Sequence, residues 1–410
     1  MEDFSTVAIG VENPKYEQAC KRQEPIYARD NDWRSEFYRD HTRILFSQAY
    51  RRLKHKTQVF FAIKNDHVCT RLEHVNLVSS IAYTISKQLH LNVELTQAIA
   101  LGHDLGHAPY GHRGEKILEK LARENGLSGF FHEKNSLHFV DEIETMEDNN
   151  YFRHNLNLTY ATRDGIICHC GELNQISIKP RDEIIDLADY NYPGEYQPYT
   201  YEGCVVKMAD KISYLARDIE DAIRLNILDK KTLEDFSNLI NDSNPDWKFA
   251  AINNGTIVNY FINDVITNST VAKGISLSTS GHQLMIKLME FNYSNIYLNK
   301  RLDIYNRHVE NIISSIFELL EGIYDQSRLL GEPFDEALEK QEQRYPTLIS
   351  SFLKYVLKYS NYRIQSYYNN RIIYDFNDES QAIHRCLIDY LSGMSDNYLQ
   401  MIFEEILTFN

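Results

Sequence analysis

A chain of 410 residues with 43% hydrophobic side chains has material for one large domain or two, with a sizeable core. Its 43 Lys and Arg stand against 58 Asp and Glu, a net charge of −15, which argues against a dedicated nucleic-acid binder, because such affinity comes from cations that neutralise phosphates. No stretch approaches a membrane span, the N-terminal segment lacks an apolar signal core, and the six cysteines (20, 69, 168, 170, 204, 386) follow no disulfide framework; the expectation is a soluble, cytoplasmic protein in a reducing compartment.

Residues 1–30 carry few apolar repeats and read as irregular. Helical periodicity begins near Trp33 and runs through Phe46, Tyr50 and Leu53 into Arg51-Arg52-Leu53-Lys54-His55-Lys56-Thr57-Gln58-Val59-Phe60. Thr70-Arg71-Leu72-Glu73-His74 then opens a helix expected over 71–90, with Val75, Leu77, Val78, Ile81, Ala82 and Ile85 as its apolar positions. Arg71 and His74 are three apart and share a face of it. A helix over 93–104 runs into Gly102-His103-Asp104-Leu105-Gly106-His107-Ala108-Pro109-Tyr110-Gly111-His112. An adjacent His-Asp pair offers one imidazole nitrogen and one carboxylate oxygen to the same ion. Neutral imidazole is the common metal ligand, and charged groups resist burial unless coordinated or paired.

Helices are expected over 114–125 and 134–147, with Phe131-His132-Glu133 between them. If the backbone is helical at 112–115, Glu115 can orient His112, a residue suited to give a proton near neutral pH. After Asn155-Leu156-Asn157-Leu158-Thr159-Tyr160 comes a helix around 160–169. Cys168-His169-Cys170 lacks a second Cys pair at zinc-finger spacing, so no zinc site is assigned there. A loop rich in Pro, Tyr and Asp spans about 179–202. The next helix, about 203–224, places Asp210, Tyr214, Asp218 and Asp221 at i, i+4, i+8 and i+11. Three carboxylates and a tyrosine on one stripe suit the lining of a charged cavity better than a core. His74, His103, Asp104 and Asp210 together make a mixed N/O ligand set that suits Mn, Fe, Zn or Ni better than Ca, with positions left for water and substrate. Segment 226–256 has helix-like pieces with Asn-rich breaks. Residues 257–410 read as helical, Ile312, Ile313, Ile316, Leu319 and Leu320 keeping the period, and the tyrosines of 290–400 read as packing residues. Alternation of β-branched residues is rare throughout, so the fold class is all-α.

The order His74, His103-Asp104, Asp210 resembles the signature of the HD-domain metal-dependent phosphohydrolases. Six ordered blocks (51–60, 70–74, 102–115, 131–133, 155–160 and 210–221) resemble its deoxynucleotide triphosphohydrolase, or dGTPase-like, branch. The chain departs from that branch at Glu133, where Asn is usual, and at Asn135, where Gln is usual. The resemblance implies a mostly helical HD phosphohydrolase fold with additional C-terminal helices: an irregular segment 1–30, an HD core 31–225, and a C-terminal helical region 226–410 packed on that core as one unit. It implies a triphosphohydrolase that cleaves dGTP or several dNTPs to deoxynucleoside and tripolyphosphate by water attack at the α-phosphorus.

On that resemblance His74, His103, Asp104 and Asp210 hold a divalent ion (Mn, Mg, Fe, Ni or Zn, with Mn or Mg for activity). His112 is the general acid and Glu115 its orienting partner, while His107 and His132 touch phosphate oxygens beside them. Arg71 and Lys211 clamp the triphosphate. Gln58 and Asp218 bind the 3′-hydroxyl, and Tyr214 lies under the sugar and excludes a 2′-hydroxyl. Arg51 and Arg52 are set aside as scaffold. The implied partners are the dNTP substrate, further copies of the chain (a hexamer), and an allosteric nucleotide or single-stranded DNA, with no membrane. Two alternatives stay open: another HD-type nucleotide phosphohydrolase, such as a nucleotidase or phosphodiesterase, and a dNTP- or single-strand-binding protein with little turnover.

Overall fold

The computed structural model describes residues 2–26, 31–60, 67–171, 175–243, 253–377 and 381–408. Helices dominate, as expected of an all-α chain. Among the described residues two short antiparallel ladders accompany them, Thr145–Glu147 with Arg153–Asn155 and Ser177–Ile178 with Ile275–Ser276. The chain forms two compact units, each drawn from three separate stretches: Met1–Leu45, Asn65–Asp104 and Leu158–Ile304 in the first, Phe46–Lys64, Leu105–Asn157 and Tyr305–Asn410 in the second.

In the first unit the helices Arg71–Gln88, Val93–Gly102, Tyr160–Ile167 and Tyr201–Arg224 pack on one another. Three of them, Arg71–Gln88, Val93–Gly102 and Tyr201–Arg224, begin where the sequence supplies a cap. The Thr70 N–H donates to Glu73 Oε2 (2.7 Å), Asn92 Oδ1 accepts from the Leu95 N–H (3.1 Å), and Thr200 Oγ1 accepts from the Gly203 N–H (3.0 Å). Val75, Val78, Ile81, Ala82 and Ile85 of the first helix are buried, as are Val205, Met208, Ala209, Ile212, Leu215 and Ile219 of the last. These are the positions a 3.6-residue period puts on one side, and their burial supplies the main driving force for the packing.

A reciprocal pair of contacts sets where the ends of two of these helices lie. A side chain on Gly102 would meet Ile166 Cδ1 at 2.5 Å, and one on Gly165 would meet Ile99 Cδ1 at 2.5 Å. Each helix therefore seats an isoleucine of the other against its own bare backbone. The Val93–Gly102 and Tyr160–Ile167 helices approach more closely than alanine would allow, and their C-terminal ends come together.

The second unit contains Gln48–Arg52, Gly111–Glu124, His132–His138, Phe334–Gln341, Pro346–Tyr359, Ala382–Ser392 and Asp396–Leu407. Pro346–Tyr359 packs on Phe334–Gln341, Ala382–Ser392 and Asp396–Leu407, and Ala382–Ser392 also packs on Gly111–Glu124. Arg52 pairs with Glu144 at 2.8 Å, a scaffold role.

Several local expectations are corrected. The first long helix starts at Glu36 rather than Trp33, whose ring is 93% exposed. A five-residue helix, Tyr16–Cys20, interrupts the segment read as irregular. The helix expected over 134–147 runs only His132–His138, passes through a π-turn at Phe139–Ile143 and gives way to the strand Thr145–Glu147. Of the Asn-rich segment, Lys230–Ser243 is a helix and residues 244–252 lie outside the described residues. No helix among the described residues is long and apolar enough to cross a membrane, and no disulfide joins the six cysteines.

Candidate metal centre and histidine cluster

All four residues read as metal ligands fall in the first unit, and their donor atoms converge. His74 stands in the first turn of the Arg71–Gln88 helix, His103 and Asp104 directly follow the Val93–Gly102 helix, and Asp210 lies midway along Tyr201–Arg224. His74 Nε2 is 3.0 Å from Asp210 Oδ1 and 3.8 Å from Asp104 Oδ2. His103 Nε2 is 3.9 Å from each of the same two oxygens.

The hydrogen bonds fix which nitrogen faces the centre. His103 Nδ1 lies 2.7 Å from the Ala100 carbonyl, which can only accept, so Nδ1 carries the proton and Nε2 presents a lone pair. The Ser213 hydroxyl donates to the Asp210 carbonyl (2.7 Å), so at 3.1 Å it accepts from His74 Nδ1, and His74 Nε2 likewise presents a lone pair. Two imidazole lone pairs and two carboxylates thus point at one buried spot. Among the described residues His103 Nε2 has no hydrogen-bond partner, although the residue is fully buried. Such a gathering of acceptors is repulsive unless a cation sits among them, and the donor set fits a divalent metal ion. Tying the outward nitrogen to a carbonyl or hydroxyl is how ligating imidazoles are commonly oriented.

The electrostatics agree. Burial pushes the His103 imidazole down, more than the Asp104 and Asp210 carboxylates pull it up, and the neutral form is the one that ligates.

Arg71 is buried beside this set, and its Nη1 donates to Asp104 Oδ2 at 2.8 Å, which fixes the guanidinium plane. Lys211 is buried on the same helix as Asp210, and Tyr214 follows one turn later, half-buried. Asp218, a further turn along, is buried and accepts a short hydrogen bond from the Tyr297 hydroxyl. Tyr297 was among the tyrosines assigned to packing, and it bonds to a candidate site residue instead. Asp221 accepts from the Cys69 N–H (2.9 Å), so it braces the backbone just ahead of Thr70.

Burial pushes the Asp218 carboxyl from 3.8 up to about 6, against the downward pull of Tyr297, His74 and Arg71 and with the push of Asp221. A carboxyl whose folded pKa exceeds its unfolded one destabilises the fold as pH rises through that window, and the cost is complete above about 6. Asp218→Asn keeps an acceptor for Tyr297 and removes the charge. The variant is expected to be more stable than the parent at pH 8 by up to roughly 3 kcal/mol, and by less at pH 5. Urea melts at the two pH values test this; an equal gain at both would sink it.

The second unit holds the other predicted catalytic group. His112 sits in the first turn of Gly111–Glu124, and its Nδ1 is 3.3 Å from Glu115 Oε2, the helical i, i+3 geometry expected. Glu115 Oε1 also accepts from the His132 N–H (2.9 Å) and from His132 Nδ1 (3.0 Å), a sharing the sequence did not announce. The His107 ring stacks on His132 at 4.6 Å and meets His112 edge-on at 5.4 Å. Burial would raise Glu115, but His132, His112 and His107 hold it well below the usual range, so it stays a carboxylate among three imidazoles.

The turn that carries these residues is braced from the C-terminal helices. Lys56 Nζ donates to the carbonyls of His107 and Ser392, Asp396 accepts from the Thr57 and Tyr110 N–H groups at 2.8 Å each, and Tyr110 is held at φ 59°. Asn135 donates to the Gly106 carbonyl (2.6 Å) and to Ser392 Oγ (3.2 Å), so the departure at this position is occupied in scaffolding. Glu133 is buried, 3.6 Å from His132 Nδ1. Gln58 is buried in this unit, whereas Tyr214 and Asp218 belong to the first.

Comparison with known proteins bears on this arrangement. Residues 71–215 match the family described as HD domain, a span that contains all four candidate ligands. A deoxyguanosinetriphosphate triphosphohydrolase-like protein of Caldanaerobacter subterraneus subsp. tengcongensis is 30% identical over 376 residues, covering 92% of this chain and 86% of the relative. Proteins of the same description from Desulfatibacillum aliphaticivorans and Clostridium tetani are 35% identical over 291 residues (70% and 73% of the two chains) and 29% identical over 408 residues (99% and 95%).

Proposed function

The chain belongs to the HD-domain, deoxyguanosinetriphosphate triphosphohydrolase-like family, and on that premise we propose that it hydrolyses deoxynucleoside triphosphates to deoxynucleoside and tripolyphosphate. The observation that carries the reading is the convergence of two imidazole lone pairs and two carboxylates on one buried point, with His103 Nε2 lacking a hydrogen-bond partner among the described residues.

His74, His103, Asp104 and Asp210 hold a divalent ion, Mn or Mg for activity, in a set that also admits Fe, Ni or Zn. When bound, the ion supplies Lewis acidity toward phosphate oxygens and lowers the pKa of water. The residues of the chain do the rest. Arg71, its plane set by Asp104, and Lys211 hold the negatively charged phosphates. His107 and His132 contact phosphate oxygens from the imidazole group around Glu115. As the water oxygen bonds to the α-phosphorus, the bond from phosphorus to the nucleoside 5′-oxygen breaks, and His112 gives that oxygen its proton. Glu115, held as a carboxylate, keeps the imidazole oriented. Gln58 and Asp218 bind the 3′-hydroxyl, with Tyr297 orienting Asp218, and the Tyr214 ring closes the space a 2′-hydroxyl needs. Copies of the chain assemble into an oligomer, and an activating nucleotide or single-stranded DNA is a further partner of this reading.

The test is incubation of the protein with each dNTP and with GTP in Mn²⁺ or Mg²⁺, with products resolved by ion exchange. Deoxynucleoside plus tripolyphosphate, with GTP intact, is the expected outcome. Orthophosphate release would point to a nucleotide phosphatase. Tight binding with no product from single dNTPs or their mixtures would point to a binding protein.

A further inference from the structure

Lys56 and Asp396 are opposite charges buried in the second unit, 1% and 2% exposed, and the charge of the lysine acts on the carboxyl. Charged groups are seldom held in an interior unless paired or hydrogen-bonded, and here their hydrogen bonds go to backbone. Lys56 Nζ donates to the carbonyl of Ser392, the last residue of the Ala382–Ser392 helix (2.8 Å), and to the carbonyl of His107. Asp396 opens the Asp396–Leu407 helix; it accepts the Thr57 N–H on Oδ2 and the Tyr110 N–H on Oδ1, and its carbonyl accepts the Tyr110 hydroxyl at 3.0 Å. A cation at one helix C-terminus and an anion at the next N-terminus each sit where the helix dipole favours them.

What these bonds hold is the backbone between His107 and His112. Tyr110 has φ 59° and Gly111 φ 62°, two successive left-handed residues. A bulky side chain rarely adopts that conformation, and it persists only where the surroundings impose it. Lys56 fixes the carbonyl ahead of the bend, and Asp396 fixes an amide within it. The bend runs directly into the Gly111–Glu124 helix, whose first turn carries His112. It also lies tight against that helix, since a side chain on Gly114 would meet the Pro109 carbonyl at 1.8 Å.

We propose that Lys56, together with Asp396, is a positioning residue for the proton transfer. It acts through the His107 carbonyl and the left-handed bend, which set the place from which His112 serves the leaving 5′-oxygen. The inference rests on the role given to His112 under the proposed function.

The test is a double-mutant cycle on the full chain, with a saturating dNTP and Mn²⁺: the parent, Lys56→Met, His112→Ala and the two combined. Methionine keeps the unbranched stem and removes the charge. Lys56→Met is expected to lower kcat about 10–100-fold with KM changed by less than about threefold. In the His112→Ala background the same change is expected to cost less than about twofold, because the donor it served is gone. If Lys56→Met does not fold, Asp396→Asn, which keeps the side-chain shape and loosens the same bend, takes its place in the cycle with the same expectation. Equal losses in the two backgrounds mark a general structural role and overturn the inference while the proposed function stands, as does a Lys56→Met that turns over like the parent. A parent that hydrolyses no dNTP overturns the proposed function, and the inference with it.

Discussion

Replacing His112 with alanine is expected to lower turnover by about 10²–10⁴-fold, the range that one positioned general acid contributes, while metal content and melting temperature stay close to the parent's. The side chain is 65% exposed, so its removal leaves no enclosed cavity and costs an edge-on contact with the His107 ring. Its polar contact with Glu115 lies at the surface, and Glu115 keeps two hydrogen bonds from His132. The loss therefore has to appear in kcat and not in folding. Product formation under saturating dNTP, metal analysis and a thermal melt on the same preparation check the three parts. Near-normal turnover would falsify the assignment of the proton donor. A fall in metal content would mean that His112 is doing something other than the task given to it.

The second large effect concerns the ion. Asp210→Asn, which removes one of the two carboxylates and keeps the shape, is expected to abolish tight metal binding and to cost about 10³-fold or more in turnover, roughly 4 kcal/mol. Chelation of the parent is expected to act in the same direction and also on stability. An ion bound only by the folded chain stabilises it by about 2.7 kcal/mol at a hundred times its dissociation constant. Treatment with EDTA should lower the melting temperature of the parent, and restored Mn²⁺ should recover it. In Asp210→Asn neither step should move the melt. A variant that still responds to Mn²⁺ would show that the ion sits elsewhere.

What the sequence made legible followed local rules. The Arg71–Gln88 and Tyr201–Arg224 helices were readable because apolar period and caps agree, and the four candidate ligands because their types and order are distinctive. The π-turn at Phe139–Ile143 and the pairing of Ser177–Ile178 with Ile275–Ser276 depend on packing between residues far apart in the chain, to which a local period is blind. The same holds at the site. Glu115 is shared between His112 and His132, Asp218 is bonded by Tyr297, and His169 lies on His103, each across a separation no motif spans.

The interleaving of the two units sets an order of assembly during synthesis. Every stretch of the first unit has been translated once Ile304 is made, so its four candidate ligands can meet an ion before the remaining residues exist. By then Phe46–Lys64 and Leu105–Asn157 have also left the ribosome, carrying His107, His112, Glu115 and His132, but not the Ser392 and Asp396 groups that brace their turn. On the proposed function, a nascent chain would gather its four candidate metal ligands before the Ser392 and Asp396 groups exist to brace the turn that carries His107 and His112.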